Sequence, residues 1–255
     1  HIGFSLTYTI SIGISAILGT ITPLIIHGTL VETFTKPGGS IVLFGMVLSM
    51  IGVMLCGAAG YKKEKDIVAQ TDTRKSNSFN MKKGLILVLL AGVLSAVFGI
   101  SLELGQPISD RAAQYGAGHF EGNAKLIVTT LGCYLTNIIW FLIAGFRQGT
   151  IKDLVNFKVL GMKSISRNYL LSALAGSLWY FQFFFYGLAH VKMGNFMFAS
   201  WVIHMSMLIF FSFIVGVVMK EWKNVSRKTY TTLIFALSIL IISFVVITWG
   251  SSVGS

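Results

Sequence analysis

Polar side chains that suit a binding site occur in two consecutive apolar segments, within the stretch SLWYFQFFFYGLAHVKMGNFMFASWVIH from Ser177 to His204. They are Gln182, His190, Asn195, Ser200 and His204, with Trp179 and Trp201 beside them. A polar group removed from water must find a partner or cost several kcal/mol, and such groups inside membranes mark pathways and sites. We predict two membrane helices, joined by a hinge, that form the substrate and coupling site of a small-solute transporter.

The chemistry of these residues suits a neutral, hydroxyl-rich ligand and a proton. Gln182 and His204 each lie about 12 Å from the outer ends of their predicted helices, and Asn137 lies about 20 Å deep. Amides donate and accept hydrogen bonds, a tryptophan face can stack on a sugar ring, and histidine titrates near neutrality. The predicted substrate-binding residues are Trp179, Gln182, Tyr186, Ser200, Trp201 and Asn137. The predicted proton-coupling residue is His204, with Glu103 as the second choice.

Each of these residues also has a purely structural interpretation. His204 and Gln182 can form interhelical hydrogen bonds, and Trp179, Trp201 and Tyr186 can be core or lipid-facing aromatics. The sequence leaves both interpretations open.

The composition requires a membrane protein. Hydrophobic residues make up 54% of the 255 residues and charged residues 11%, and the mean hydropathy is +0.76. Apolar runs of about 20 residues, long enough to cross a bilayer, recur throughout. The predicted fold is an all-α polytopic bundle with seven transmembrane helices, at residues 4–26, 40–60, 84–104, 124–146, 168–190, 196–219 and 229–250. Cys56 and Cys133 fall inside these spans, so neither a disulfide nor a metal site is predicted.

The basic residues predict the orientation. Sixteen of the 20 Lys and Arg lie in three alternate connections, at residues 61–83, 147–167 and 220–228. The positive-inside rule makes these connections cytoplasmic and places the C-terminus outside. The net charge of +11 is therefore an orientation signal, and we predict a lipid bilayer as the partner and no nucleic acid.

An internal repeat is predicted from weak similarity between the first and sixth spans, around Gly19 and Gly216. The two spans run in opposite directions, which is typical of inverted-repeat transporters. Residues 1–60 are then the last two helices of a first half, 61–83 a cytoplasmic linker and 84–255 a second half of five helices. The uneven split and the absence of an initiator methionine predict an N-terminal truncation.

Two other classes of protein are disfavoured. A seven-helix receptor-like protein would have the opposite orientation. An intramembrane enzyme would need a metal-binding motif such as His-Glu-x-x-His or a pair of aspartates inside the membrane, and the sequence has neither. We therefore expect no enzyme activity and no cofactor.

Several strings in the sequence closely resemble the L-rhamnose–proton symporter family of the drug/metabolite transporter superfamily. They are GSLWYFQFFFYGLAH, SWVIHMSM, IVGVVMKEWKN, GTITPLIIHG with the following Gly38–Gly39 turn, and FNMKKGLILVLLAGVLSA. The resemblance covers nearly the whole chain. It implies a ten-helix carrier of the bacterial inner membrane with two inverted five-helix halves and external termini.

The same resemblance implies proton-coupled uptake of L-rhamnose or a related monosaccharide, driven by the proton gradient. The alternative from the same superfamily is a carrier of another small solute. The oligomeric state is not predicted.

Overall fold

The computed structural model describes residues 4–70, 81–156 and 161–254, and this part of the chain is almost entirely helical. The long helices are α1 (Phe4–Ile26), α3 (Gly39–Gln70), α4 (Met81–Leu104), α6 (Glu121–Gln148), α7 (Met162–His190), α8 (Ala199–Val218) and α9 (Arg227–Val253). Two short helices, α2 (Leu30–Thr35) and α5 (Gln106–Gln114), lie in connections. Short 3₁₀ segments occupy Gly118–Phe120, Thr150–Val155 and Val191–Phe196.

All seven predicted helices form, and the main differences are at their ends. Helix α3 continues ten residues beyond the predicted end at residue 60, and α7 begins six residues before the predicted start at residue 168. These extensions carry charged and polar side chains, which a hydropathy pattern assigns to loops. The predicted linker therefore begins as helix, and its residues 71–80 lie outside the described part of the chain.

Six of the seven long helices in the described residues are long and apolar enough to cross a membrane, which confirms a polytopic membrane protein. The exception is α7, whose 29 residues include Gln182, Trp179 and several tyrosines and serines that lower its hydropathy. Its membrane crossing stays a prediction.

The chain forms two compact units, and each is described by itself. Unit 1 comprises residues 1–104 and 192–255 and contains α1–α4, α8 and α9. Unit 2 comprises residues 105–191 and contains α5–α7.

Helices α3 and α9 pack antiparallel along a repeat of seven residues. The buried positions of α9 alternate in steps of four and three: Thr229, Leu233, Ala236, Leu240, Ser243, Ile247 and Gly250. The facing residues of α3 include Gly45 and Gly52, where an added Cβ would lie 2.6 Å from the side chains of Ile247 and Leu240, respectively. A sustained seven-residue repeat winds two helices into a left-handed supercoil, and the small side chains bring the backbones close.

Helices α1 and α4 also meet at small residues. The Ser95 hydroxyl donates a hydrogen bond to the Ser15 hydroxyl at 3.0 Å. One turn earlier in α4, an added Cβ on Gly92 would lie 2.8 Å from Ile14 and 3.0 Å from the backbone oxygen of Ser11. Small residues three or four positions apart, Ser11 and Ser15 on α1 and Gly92 and Ser95 on α4, thus form one packing face, as is common in membrane helices.

We expect Gly250→Ala to destabilise the protein. Its added Cβ would lie 2.8 Å from the backbone nitrogen of Val42 and 3.0 Å from Cβ of Ile41. A movement of α3 away from this Cβ would disturb the remaining α3–α9 contacts, which we call the α3–α9 seam. Overpacking of this kind costs about 1–3 kcal/mol, which should lower the melting temperature of the purified protein in detergent. Gly132→Ala is the matched control, because nothing lies within 4 Å of its Cβ position. Equal melting temperatures for the two variants would contradict this view of the seam.

Candidate functional site

Trp201 is wedged between α1 and α4 in unit 1. It is 3% exposed, and its Nε1 donates a hydrogen bond to the backbone oxygen of Ser15 at 3.0 Å. Its ring fills the space that side chains at Gly19 and Gly99 would occupy. The ring edge and face are thus committed to helix packing, which favours the structural interpretation of this residue over stacking on a ligand.

The other predicted residues of unit 1 lie near this wedge or at a helix end. The His204 ring stacks at a tilt of 31° on the Trp201 ring, with centroids 5.8 Å apart, and it is half-buried. Ser200 is buried in the first turn of α8. Glu103 is half-buried in the last turn of α4. The structure thus groups His204 with Trp201 in the interior of the unit.

A groove between α6 and α7 brings together two of the residues predicted in unit 2. Asn137 from α6 and Trp179 from α7 both line this groove, which has a volume of about 580 Å³. Its other lining residues are Ile127, Thr130, Leu131, Cys133, Tyr134, Gly176 and Tyr180. The Asn137 Nδ2 donates to the backbone oxygen of Cys133 at 2.8 Å, which leaves the amide oxygen and a second N–H to bind a ligand. We call this feature the α6–α7 groove.

Two predicted residues of α7 lie outside that groove. Gln182 is half-buried, and Tyr186 is 7% exposed. The Tyr186 hydroxyl lies 3.4 Å from Nδ1 of His190, so this side chain takes part in a buried polar contact. Gln182 and His204 belong to different units, and their predicted approach stays a prediction.

The sequence interpretation missed a buried lysine in unit 2. Lys125, placed at the edge of its span by the sequence, is fully buried in the second turn of α6. Its Nζ lies 3.3 Å from Nε2 of His190, which is also fully buried. A lysine just inside an apolar run and a Tyr-x-x-x-His pair one turn apart are the signals that could have found this contact.

Another buried lysine, Lys63, lies in unit 1 and has the contacts usual for a charged residue near the end of a membrane helix. The Lys63 Nζ forms an ion pair with Glu221 at 2.8 Å and lies 4.8 Å from the centre of the Trp222 ring. Three residues further along α3, Asp66 accepts hydrogen bonds from the backbone N–H of Ser226 at 2.8 Å and the Thr229 hydroxyl at 2.7 Å. These contacts tie the end of α3 to the loop before α9.

The helical architecture and the apolar spans define a polytopic integral membrane protein. The family model for L-rhamnose-proton symport protein (RhaT) matches residues 1–253, and the chain belongs to this family. Curated relatives described as L-rhamnose-proton symporters include one from Escherichia coli strain 55989, 32% identical over 248 residues, 95% of this chain and 70% of the relative. A relative from Shigella dysenteriae serotype 1 is 33% identical over the same shares of both chains.

The relative from Escherichia coli O157:H7 is 32% identical over 255 residues, which covers 98% of this chain and 72% of the relative. No solved structure matches the chain. The family predicted from the sequence strings is therefore confirmed.

We expect Trp201→Phe to lower the melting temperature of the purified protein. The phenyl ring cannot donate to Ser15, and it leaves part of the space between Gly19 and Gly99 empty. A lost hydrogen bond and a small cavity together cost about 1–3 kcal/mol. Trp249→Phe is the matched control, because Trp249 is 60% exposed. A Trp201→Phe variant as stable as the Trp249→Phe variant would show that the wedge contributes little to packing.

Proposed function

We propose that this protein is a secondary active transporter that takes up L-rhamnose, or a related monosaccharide, together with a proton. The observation that carries the proposal is family membership over residues 1–253, with relatives described as L-rhamnose-proton symporters that align over 95% or more of the chain. The proton gradient supplies the energy, and the ligands are the sugar and the proton. Transport proceeds by alternating access.

We propose the α6–α7 groove as part of the sugar site. Asn137 and Trp179 offer an amide and an aromatic face on opposite walls, and Tyr134 and Tyr180 add hydroxyl groups. A few polar groups in a mainly apolar cavity of this size are typical of small-molecule sites. Gln182 and Tyr186 of unit 2 are proposed as further substrate-binding residues. In unit 1, Ser200 and Trp201 are proposed as well, with Trp201 acting through the packing of α1, α4 and α8.

We propose His204 as a proton-binding residue, with Glu103 as the alternative. His204 lies in the first half of α8, an otherwise apolar helix, and a histidine can change its charge near neutral pH. Because His204 stacks on Trp201, a change in the charge of His204 would alter how Trp201 packs between α1 and α4.

The wider architecture is also a proposal. Residues 84–255 form one half of a ten-helix plan with two inverted five-helix halves, residues 61–83 are the linker, and residues 1–60 are the last two helices of the other half. The protein lies in the bacterial inner membrane, with the three basic connections cytoplasmic and the C-terminus external. Such a plan supports alternating access through rocking of the halves.

We expect the full-length protein in proteoliposomes to exchange labelled L-rhamnose by counterflow. Addition of unlabelled L-rhamnose should also raise the external pH, because protons enter with the sugar. Counterflow without a pH change would overturn proton coupling, and an absence of both would overturn the sugar assignment. Competition with other deoxy-sugars, other monosaccharides and small non-sugar solutes tests the alternative substrates. His204→Gln should exchange sugar yet fail to accumulate it, and full accumulation would remove His204 from coupling.

We expect Trp179→Ala and Asn137→Ala to weaken sugar binding. Each removes one wall of the α6–α7 groove, so the KM for sugar should rise about tenfold for the loss of about 1.4 kcal/mol of binding energy. The matched controls are Trp140→Ala and Thr136→Ala, because both residues are exposed on α6 and neither lines the groove. An unchanged KM in the groove variants would show that the sugar binds elsewhere.

A further inference from the structure

A lysine and a histidine meet in the interior of unit 2. The Lys125 Nζ lies 2.9 Å from Oε1 of Gln106 in α5 and 3.3 Å from Nε2 of His190. The Tyr186 hydroxyl lies 3.4 Å from the other ring nitrogen of His190, Nδ1. Lys125 and His190 are both fully buried. We call Gln106, Lys125, Tyr186 and His190 the Lys125 cluster.

A close crossing of α6 and α7 holds the two bases together. A Cβ added to Gly122 would lie 2.5 Å from the backbone oxygen of Gly187, and a side chain on Gly187 would occupy the place of Asn123. Lys125 and His190 each lie three residues beyond these glycines. The Lys125–His190 distance is therefore set by contact between two backbones.

Both hydrogen bonds of the His190 ring can form whether or not Lys125 is protonated. An ammonium only donates, so it donates to Nε2, and the ring proton sits on Nδ1 and faces the Tyr186 oxygen. When Lys125 is neutral, its lone pair can accept from the other tautomer of His190, with the proton on Nε2. The Tyr186 hydroxyl then donates to Nδ1. Loss of one proton reverses both hydrogen bonds and breaks neither.

The Lys125 cluster lies at the end of unit 2 where α6 begins and α7 ends, and several charged or titratable groups surround it. The exposed Asp110 accepts a hydrogen bond from Nε2 of Gln106 at 2.9 Å, which turns the Oε1 of Gln106 toward Lys125. Glu121 is half-buried in the first turn of α6. Arg111 in α5 donates to Gln114, and His119, in the 3₁₀ turn before α6, is exposed. Glu103 precedes Gln106 by three residues along the chain.

We propose that Lys125 binds and releases a proton during transport, with His190 as its hydrogen-bond partner in both states. In the protonated state the proton forms an N–H bond at Nζ; on release it passes to water and leaves its electron pair on Nζ. Lysine suits this role because burial makes its charge costly and its proton can leave, whereas arginine keeps its proton. The inference rests on the proposed sugar–proton symport and names a further proton site in that cycle.

The test compares coupled transport with exchange in proteoliposomes. Lys125→Met and Lys125→Arg should each keep L-rhamnose counterflow within about threefold of wild type. Both should lose at least tenfold in sugar accumulation and in sugar-driven alkalinisation, because neither side chain can exchange a proton. Lys192→Met is the matched control, since Lys192 is exposed just beyond α7 and should leave all three readouts unchanged.

The outcomes separate this inference from the proposed function. A wild-type protein without sugar-driven alkalinisation overturns the symport itself. Coupled uptake by Lys125→Met or Lys125→Arg overturns the proton role of Lys125 alone. Loss of counterflow together with accumulation, in a variant that elutes as a folded protein on size exclusion, also overturns it and assigns the cluster to sugar binding or packing. If Lys125→Met does not fold, Lys125→Gln, whose amide can bond to both neighbours, gives the same comparison.

Discussion

Close approach of helix backbones at small residues is the constraint on which this structure depends. Lipid gives apolar helices no hydrophobic reason to associate, so packing and polar contacts must hold them together. The α3–α9 seam repeats every seven residues and relies on glycine at its tightest points, such as Gly45 and Gly250. The Trp201 wedge needs glycine on both sides, at Gly19 and Gly99. A side chain at Gly19 or Gly99 would displace the ring of Trp201 and so disturb α8, which also carries the proposed residues Ser200 and His204.

The same constraint explains why two buried or half-buried lysines behave differently. Lys63 lies near the end of a long helix and reaches a carboxylate and an indole ring, as a lysine does when its stem is buried and its charge stays at the surface. Lys125 lies one turn inside α6, where the Gly122–Gly187 crossing closes the space around it. Its charge is held by buried neighbours, and such a position marks function more often than anchoring.

The hydropathy pattern predicted the helices because a bilayer demands long apolar runs. It could not predict the polar extensions of α3 and α7, since these lie where water can solvate charged side chains. The resemblance of specific strings predicted the family, which the comparisons confirm. The role of Trp201 could not be predicted, because its partners Ser15, Gly19 and Gly99 lie far away in sequence. Lys125 was missed for the same reason, since its depth depends on how α5 and α7 cover it.

The arrangement of unit 2 suggests how a proton and a sugar could be coupled. Lys125, Tyr186 and His190 lie on the same two helices as the α6–α7 groove. Lys125 and Asn137 are 12 residues apart on α6, or about 18 Å at 1.5 Å per residue, and His190 and Trp179 are separated by a similar length of α7. Coupling between two sites requires an element with two arrangements that both sites bias. We propose the α6–α7 crossing as this element, because reversing the hydrogen bonds at one level would change the forces between helices that also form the walls of the groove. A small rotation of the two helices at Gly122 and Gly187 would also move Asn137 and Trp179. Protonation of Lys125 would then change the width of the proposed sugar site without contact between Lys125 and the sugar.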